Sequence, residues 1–230
     1  MRASPAAPSL RRAAGGRRVG QVLFGSLYRV RVHGAEHIPS CGGAIVAGNH
    51  TALLDGPLLF SVLPRPMHLL VKEELFHGPV GLVLRACGQI PVRRRSVDRA
   101  AIEAALQVLA RGDLLGMFPE GTRGSGDFAT VELGLAHLAL TARVPVVPAA
   151  VFGVRRPGGG VNALPRLGSR LEVVLGAPVL VGRGSGPRRT RLSAASDELR
   201  ERLAEHVREA GAALGRASQV GQAGPSGPTG

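Results

Sequence analysis

AIVAGNHTALLDGP, residues 44–57, is the stretch whose reading decides the fold. Small and branched apolar residues of strand character run into Gly48-Asn49, then His50, and Asp55 follows just ahead of a Gly-Pro pair able to open a helix. A strand that turns directly into a helix is the unit of α/β proteins, and its carboxyl end is where they keep their chemistry. Helical residues advance by about 100° each, so His50 and Asp55 on one regular helix would point about 140° apart. The two act together only if His50 stands off the helix and Thr51-Ala52-Leu53-Leu54 fold back as an irregular turn. The competing reading makes Asp55 the cap of a helix beginning near Pro57, and His50 an ordinary loop residue.

Working outward, strand and helix patterns alternate. Upstream, Tyr28 to His33 alternates like a strand. Downstream come a helix from Pro57 to Leu63, a strand from Met67 to Lys72, and helix from Glu73 to Cys87 in two pieces split at Gly78-Pro79. A strand from Gly88 to Val92 leads into Arg93-Arg94-Arg95. Ser96 is the expected cap of a helix from Val97 to Ala110, whose Ile102, Leu106 and Leu109 recur at helical spacing. Leu114 to Phe118 reads as a strand followed by Pro119-Glu120-Gly121-Thr122-Arg123, and Thr130 to Arg143 as a helix. Val144 to Val151 reads as a strand whose two prolines forbid normal central pairing, implying a bulge or an edge position. Leu171 to Leu175 is a last strand, and Arg191 to Leu214 an amphipathic helix with Leu192, Leu199, Leu203, Val207 and Leu214 on one face. The expected fold is a single α/β domain with a mostly parallel central sheet flanked by helices. Its organisation reads as a basic mobile arm over 1–18, the domain proper over 19–182, a linker over 183–189, a C-terminal amphipathic helix over 190–216 and a disordered tail over 217–230.

The formal charge of +13 over 230 residues is unevenly spread, since seven arginines precede the first acidic residue, Glu36. Such a segment seeks a polyanion, nucleic acid or an acidic lipid surface, at about 1 kcal/mol per basic residue near an anionic membrane. Six Phe, one Tyr and no Trp speak against a nucleic-acid partner recognised by stacking. No 18-residue apolar run is present, so no membrane-spanning helix is expected. Val22-Leu23-Phe24 with Leu27-Tyr28 suits lying in a membrane interface, and the patch lacks the cleavage site of an export signal. Two cysteines, Cys41 and Cys87, fit free thiols rather than a disulfide framework. His33-Gly34-Ala35-Glu36-His37 matches a zinc-peptidase pattern in letters, but Gly34 and Pro39 deny it the helix that would place both histidines on one face, so no metal is expected.

Four segments stand in order along the chain: NHTALLD (49–55), GQIPVRR (88–94), FPEGTR (118–123) and VPVVP (144–148). Together they resemble the glycerolipid acyltransferase superfamily, most closely the 1-acylglycerol-3-phosphate acyltransferases, over about residues 30 to 155. The resemblance implies a catalytic pair, with His50 the general base and Asp55 its orienting partner. It implies that Arg94, Glu120, Gly121, Thr122 and Arg123 bind substrate: Arg94 and Arg123 at the acceptor's phosphate, Glu120 orienting the acceptor or holding an arginine, Gly121 giving a turn or a close backbone approach. Pro145 and Pro148 would shape the acyl pocket. The chain departs from the pattern at Glu132, where many relatives carry a basic residue.

Imidazole titrates near neutrality, which suits deprotonating a hydroxyl as it attacks a thioester. The implied activity is transfer of a fatty acyl group from acyl-CoA or acyl carrier protein, a co-substrate rather than a cofactor, to a lysophospholipid hydroxyl, most readily 1-acylglycerol-3-phosphate. The implied location is peripheral, on the cytoplasmic face of the cell membrane against anionic lipid, with no nucleic acid. Two alternatives stand beside it: glycerol-3-phosphate or another lysolipid as acceptor, and a non-enzymatic basic protein bound to membrane or nucleic acid.

Overall fold

The run Ala44–Gly48 forms a strand, β2, buried at every position in the interior of the sheet, as an unbroken apolar run predicts for a strand covered on both faces. The computed structural model describes residues 8–93, 98–121, 126–128, 133–156, 158–182 and 186–215. The other elements are α1 (Leu10–Leu27), β1 (Arg29–His33), α2 (Asp55–Val62), β3 (Met67–Lys72), α3 (Gly78–Ala86), β4 (Ile90–Val92), α4 (Arg99–Ala110), β5 (Leu114–Met117), α5 (Leu133–Ala142), β6 (Val146–Phe152), β7 (Arg170–Leu175) and α6 (Arg188–Ala213). Short 3₁₀ turns cover Ala35–His37 and Glu73–Phe76.

The sheet has seven strands in the order β1-β7-β6-β2-β5-β3-β4. Every neighbouring pair is parallel except β6 and β7. α1 and α2 bury Ala13, Phe24, Leu58, Leu59 and Phe60 on one face. α4, α5 and α6 bury Val108, Leu135, Leu199, Leu203 and Val207 on the other. The expected α/β architecture with helices on both faces is what forms.

Several local expectations are corrected. Residues 10–18, read as part of a mobile arm, are the first half of α1; residues 1–7 of that arm lie outside the described residues. Gly16 of that arm and Gly20 just beyond it are packing positions. A Cβ on Gly16 would sit 2.5 Å from Cys87 Sγ, and one on Gly20 2.0 Å from Ser61 Oγ, so α1 approaches α2 and α3 only because these positions are bare. Arg17 Nε donates to Leu63 O at 2.6 Å and pins the helix further. Of the segment read as a linker, Arg188 and Arg189 already belong to α6 and residues 183–185 lie outside the described residues, as does the tail from 216. The cap of α4 is Asp98, whose side chain accepts from Ala101 N at 3.2 Å; Ser96 lies outside the described residues.

β6 is an inner strand, not an edge. Pro148 is tolerated because its missing N–H falls where the ladder to β7 is broken. Pairing holds from Ala149↔Leu175 and resumes at Val146↔Val179, so two residues of β6 face three of the partner chain. Gly176 N donates to Pro148 O at 2.9 Å, and Ile45 N to Pro145 O at 2.9 Å, satisfying both carbonyls. The bulge half of the expectation is therefore realised, with the extra residue on the opposite strand.

Among the described residues no helix is long and apolar enough to cross a membrane, and no group of three His, Cys, Asp or Glu is placed to hold a metal. His33 instead pairs with the buried Glu172 at 3.4 Å, and His37 Nδ1 lies 2.9 Å from Leu175 O.

Candidate active site

His50 follows the carboxyl end of β2, and Asp55 is the first residue of α2, so the pair is not carried on one regular helix. The residues between them curl around a single carboxylate oxygen. Asp55 Oδ2 accepts from Thr51 N at 2.6 Å, from Ala52 N at 2.7 Å, and lies 3.3 Å from His50 Nδ1. Asp55 is wholly buried and does not cap α2; it looks backwards and holds the turn that presents the histidine. A carboxylate only accepts, so Nδ1 carries the proton and Nε2 is left with the lone pair.

Two further side chains fix this turn. Asn49 is buried and bridges to β6, accepting from Val151 N at 2.7 Å and donating to Val151 O at 3.3 Å. Phe118, at the end of β5, stacks on the His50 ring with centroids 4.4 Å apart and planes tilted by 25°. Gly48 leaves room for that ring, since a Cβ there would lie 3.0 Å from it. Neither the Asn49 bridge nor the Phe118 stack was legible from spacing. The signal available was that both sit at ends of strands that become neighbours, β2 and β5.

Glu120 is joined to the histidine turn. Its Oε1 accepts from His50 N at 3.2 Å, which ties the FPEGTR segment to the histidine turn. Burial, aided by the nearby charges of Asp127 and Asp55, pushes this carboxyl up to about 7 against backbone donors at His50 and Gly126. Gly121 makes the expected turn, at φ +70° with its N–H to Phe118 O at 3.2 Å. Arg94, Thr122, Arg123 and Glu132 lie outside the described residues. Arg93 is engaged by Asp98 Oδ2, through its N at 3.0 Å and its Nε at 3.4 Å, and by Glu73 at 3.8 Å.

A raised carboxyl makes stability depend on pH with a definite sign. The folded chain holds the Glu120 proton more tightly than the unfolded chain, so this group's contribution is intact below about pH 4.5 and is lost as pH rises toward about 7. The ionised form costs about 3 kcal/mol at the upper end. Glu120→Gln should therefore gain stability relative to wild type by about 3 kcal/mol between those limits. Denaturant unfolding of both proteins at either end of the range checks this; a constant difference would contradict it.

The four motif segments do not all meet. His50, Arg93 and Phe118 follow the carboxyl ends of β2, β4 and β5, at one end of the parallel strands. β4 is the sheet edge and not a neighbour of β2 or β5. The VPVVP segment runs into β6 alongside β2, with Val146 paired to Ile45 and Pro148 to Ala47, and neither Pro145 nor Pro148 borders the cavity beside His50, which corrects their implied place in an acyl pocket.

That cavity holds about 850 Å³ and opens beside His50. Phe60, Leu69, Leu84, Ile102 and Leu138 make its wall apolar, with Lys72, Gln89 and Arg93 among its polar groups. Cys87 also borders it, and burial pushes that thiol up, keeping it protonated and poorly nucleophilic. The arrangement offers an imidazole lone pair at the wall of an apolar cleft, suited to taking a proton from a hydroxyl held there.

Comparison with known proteins agrees with this geometry. The chain is 28% identical over 179 residues to 1-acyl-sn-glycerol-3-phosphate acyltransferase of Bacillus subtilis, covering 76% of this chain and 87% of that one. It is 34% identical to the protein of the same name from Borreliella burgdorferi, over 54% of this chain and 51% of that one. It is 36% identical to human 1-acyl-sn-glycerol-3-phosphate acyltransferase alpha, over 52% and 44%. The chain thus spans most of the Bacillus protein and about half the length of the other two. Its fold matches the crystal structure of the 1-acyl-sn-glycerophosphate acyltransferase PlsC from Thermotoga maritima, with a TM-score of 0.65 and 25% identity over 90% of this chain and 81% of that one. The Acyltransferase family model matches residues 29–152, more than half the chain and every one of the four motif segments, and the chain belongs to that family.

Proposed function

We propose that this acyltransferase moves a fatty acyl group from a thioester, acyl-CoA or acyl carrier protein, to the hydroxyl of a lysophospholipid, with 1-acylglycerol-3-phosphate as acceptor. The observation that carries the reading is the His50–Asp55 pair, 3.3 Å apart, at the mouth of an apolar cavity of about 850 Å³. Its acceptor rests on the names of the relatives.

In the proposed step the acceptor oxygen attacks the thioester carbonyl and loses its proton to His50 Nε2, while Asp55 holds the other ring nitrogen and stabilises the imidazolium. The new C–O bond forms, the C–S bond breaks, and the leaving thiolate takes up the proton. Ordinary thiols ionise at about 8.5, so the leaving group needs little help. Transfer is direct: no Ser or Cys stands in the four segments, and Cys87 is a protonated wall residue. Glu120 serves as a positioning residue for the His50 turn. Arg94, with Thr122 and Arg123, binds the acceptor's phosphate, for which a guanidinium fork is suited. The acyl chain lies in the apolar cavity, and the enzyme works peripherally on the cytoplasmic face of an anionic membrane.

Release of free thiol from acyl-CoA and from acyl carrier protein, followed with a panel of lysolipids and glycerol-3-phosphate, tests this. The expected result is fastest release with 1-acylglycerol-3-phosphate. Preference for glycerol-3-phosphate would move the acceptor, and no acceptor-dependent thiol with any member would sink the reading.

A further inference from the structure

α3 breaks the rule for a surface helix. Its exposed residues are Gly78, Pro79, Val80, Leu82, Val83, Arg85 and Ala86, whereas a helix facing water carries polar residues on that side. Val80, Leu82 and Val83 are 58%, 69% and 61% exposed. The single charge, Arg85, folds back: its guanidinium lies 5.6 Å from the Phe76 ring centroid, and Nη1 donates to Phe76 O at 2.6 Å. The outward side of α3 is left as a continuous apolar surface.

That surface is continuous with the cavity beside His50. Leu75, Val80 and Val83 are exposed and line the cavity as well, so one set of side chains forms both its lip and its wall. Gly16 of α1 packs on Cys87 at the end of α3, and α1 adds exposed Val19, Val22 and Leu23 together with exposed Arg11, Arg12 and Arg18. The turn before α3 carries Glu73 and Glu74, of which Glu73 faces Arg93 at 3.8 Å, and the whole chain carries +13.

We infer that the apolar side of α3 is the surface by which the protein docks into an anionic phospholipid leaflet, so that acyl chains pass from the bilayer across Leu75, Val80 and Val83 into the cavity without crossing water. A leaflet supplies an apolar medium for the exposed valines and leucine and negative charge for the arginines of α1. The inference rests on the acyl-transfer reading for the chemistry of the occupant, but its test needs no turnover, so the two fail separately.

The chain has no tryptophan, so a single one reports its own surroundings. Leu82→Trp places it on α3, and Glu201→Trp on an exposed position of α6. Phosphatidylcholine vesicles containing phosphatidylglycerol should shift the Leu82→Trp emission to the blue and leave the Glu201→Trp emission unmoved. No shift, or an equal shift at both, overturns the inference. A blue shift of Leu82→Trp without vesicles, growing with protein concentration, makes a second copy the occupant and also overturns it. Leu82 does not border the cavity, so Leu82→Asp should lower vesicle binding by about 10-fold or more while thiol release with short-chain, monomeric substrates is retained. Undiminished vesicle binding by Leu82→Asp would count against docking through α3.

Discussion

His50→Ala is expected to lower turnover by about 10² to 10⁴-fold, the range a positioned general base contributes. The loss should fall on kcat, because in the proposed step the imidazole takes the acceptor's proton, while the apolar wall of the cavity and the bonds of the Asp55-held turn are made by other residues. Asp55 keeps its bonds from Thr51 N and Ala52 N when the ring is removed, so the local fold survives. The stack on Phe118 is lost, at a cost of about 1 kcal/mol in stability. Thiol release per mole of enzyme, with thermal unfolding as the check on folding, measures both. Normal turnover by a folded His50→Ala protein would remove His50 from the mechanism.

Asp55→Asn separates charge from shape at the same site. An amide oxygen in place of Oδ2 still accepts from Thr51 N and Ala52 N, so the turn is retained. The negative charge that stabilises the imidazolium is gone, and the expected loss in kcat is on the order of 10³ to 10⁴, as in the serine-hydrolase triad where the same change has been made. Stability should fall as well. Asp55 Oδ1 is buried with no hydrogen-bond partner among the described residues, and an NH₂ placed there is a buried donor without an acceptor, costing about 1 to 3 kcal/mol. The diagnostic result is a kcat defect with an acceptor KM near that of wild type. A variant that loses only stability would make Asp55 a structural residue of the turn.

Much of the fold was legible because its signals are local. Met67–Lys72 forms the strand that its letters describe, and α2, α4 and α6 form within a few residues of where apolar spacing and turn residues place them. The demand that His50 stand off the helix was also legible, since about 100° per residue forbids any other way for it to reach Asp55.

What escaped reading depends on partners remote in sequence. α1 contains the glycines and arginines of a loose arm, yet it is ordered by Cys87, Ser61 and Leu63, residues found only once the chain has folded back. Pro148 called for a bulge or an edge, and which of the two holds was decided by a broken ladder more than twenty residues downstream, which admits it to an inner strand. Nothing in FPEGTR shows that the Glu120 carboxylate meets the backbone of His50, seventy residues earlier in the chain.

The sequence by itself determined the α/β alternation, the pairing of His50 with Asp55 as the candidate site and the kinship with acyltransferases, because periodicity and motifs are written within short windows of chain. Only the tertiary structure decided which motif segments share an end of the sheet, that VPVVP runs beside β2 without bordering the cavity, that Glu120 meets the histidine turn, and that the apolar side of α3 faces outward. Each of these is a relation between surfaces, set by how strands order themselves and by which helix faces remain uncovered when the core is closed.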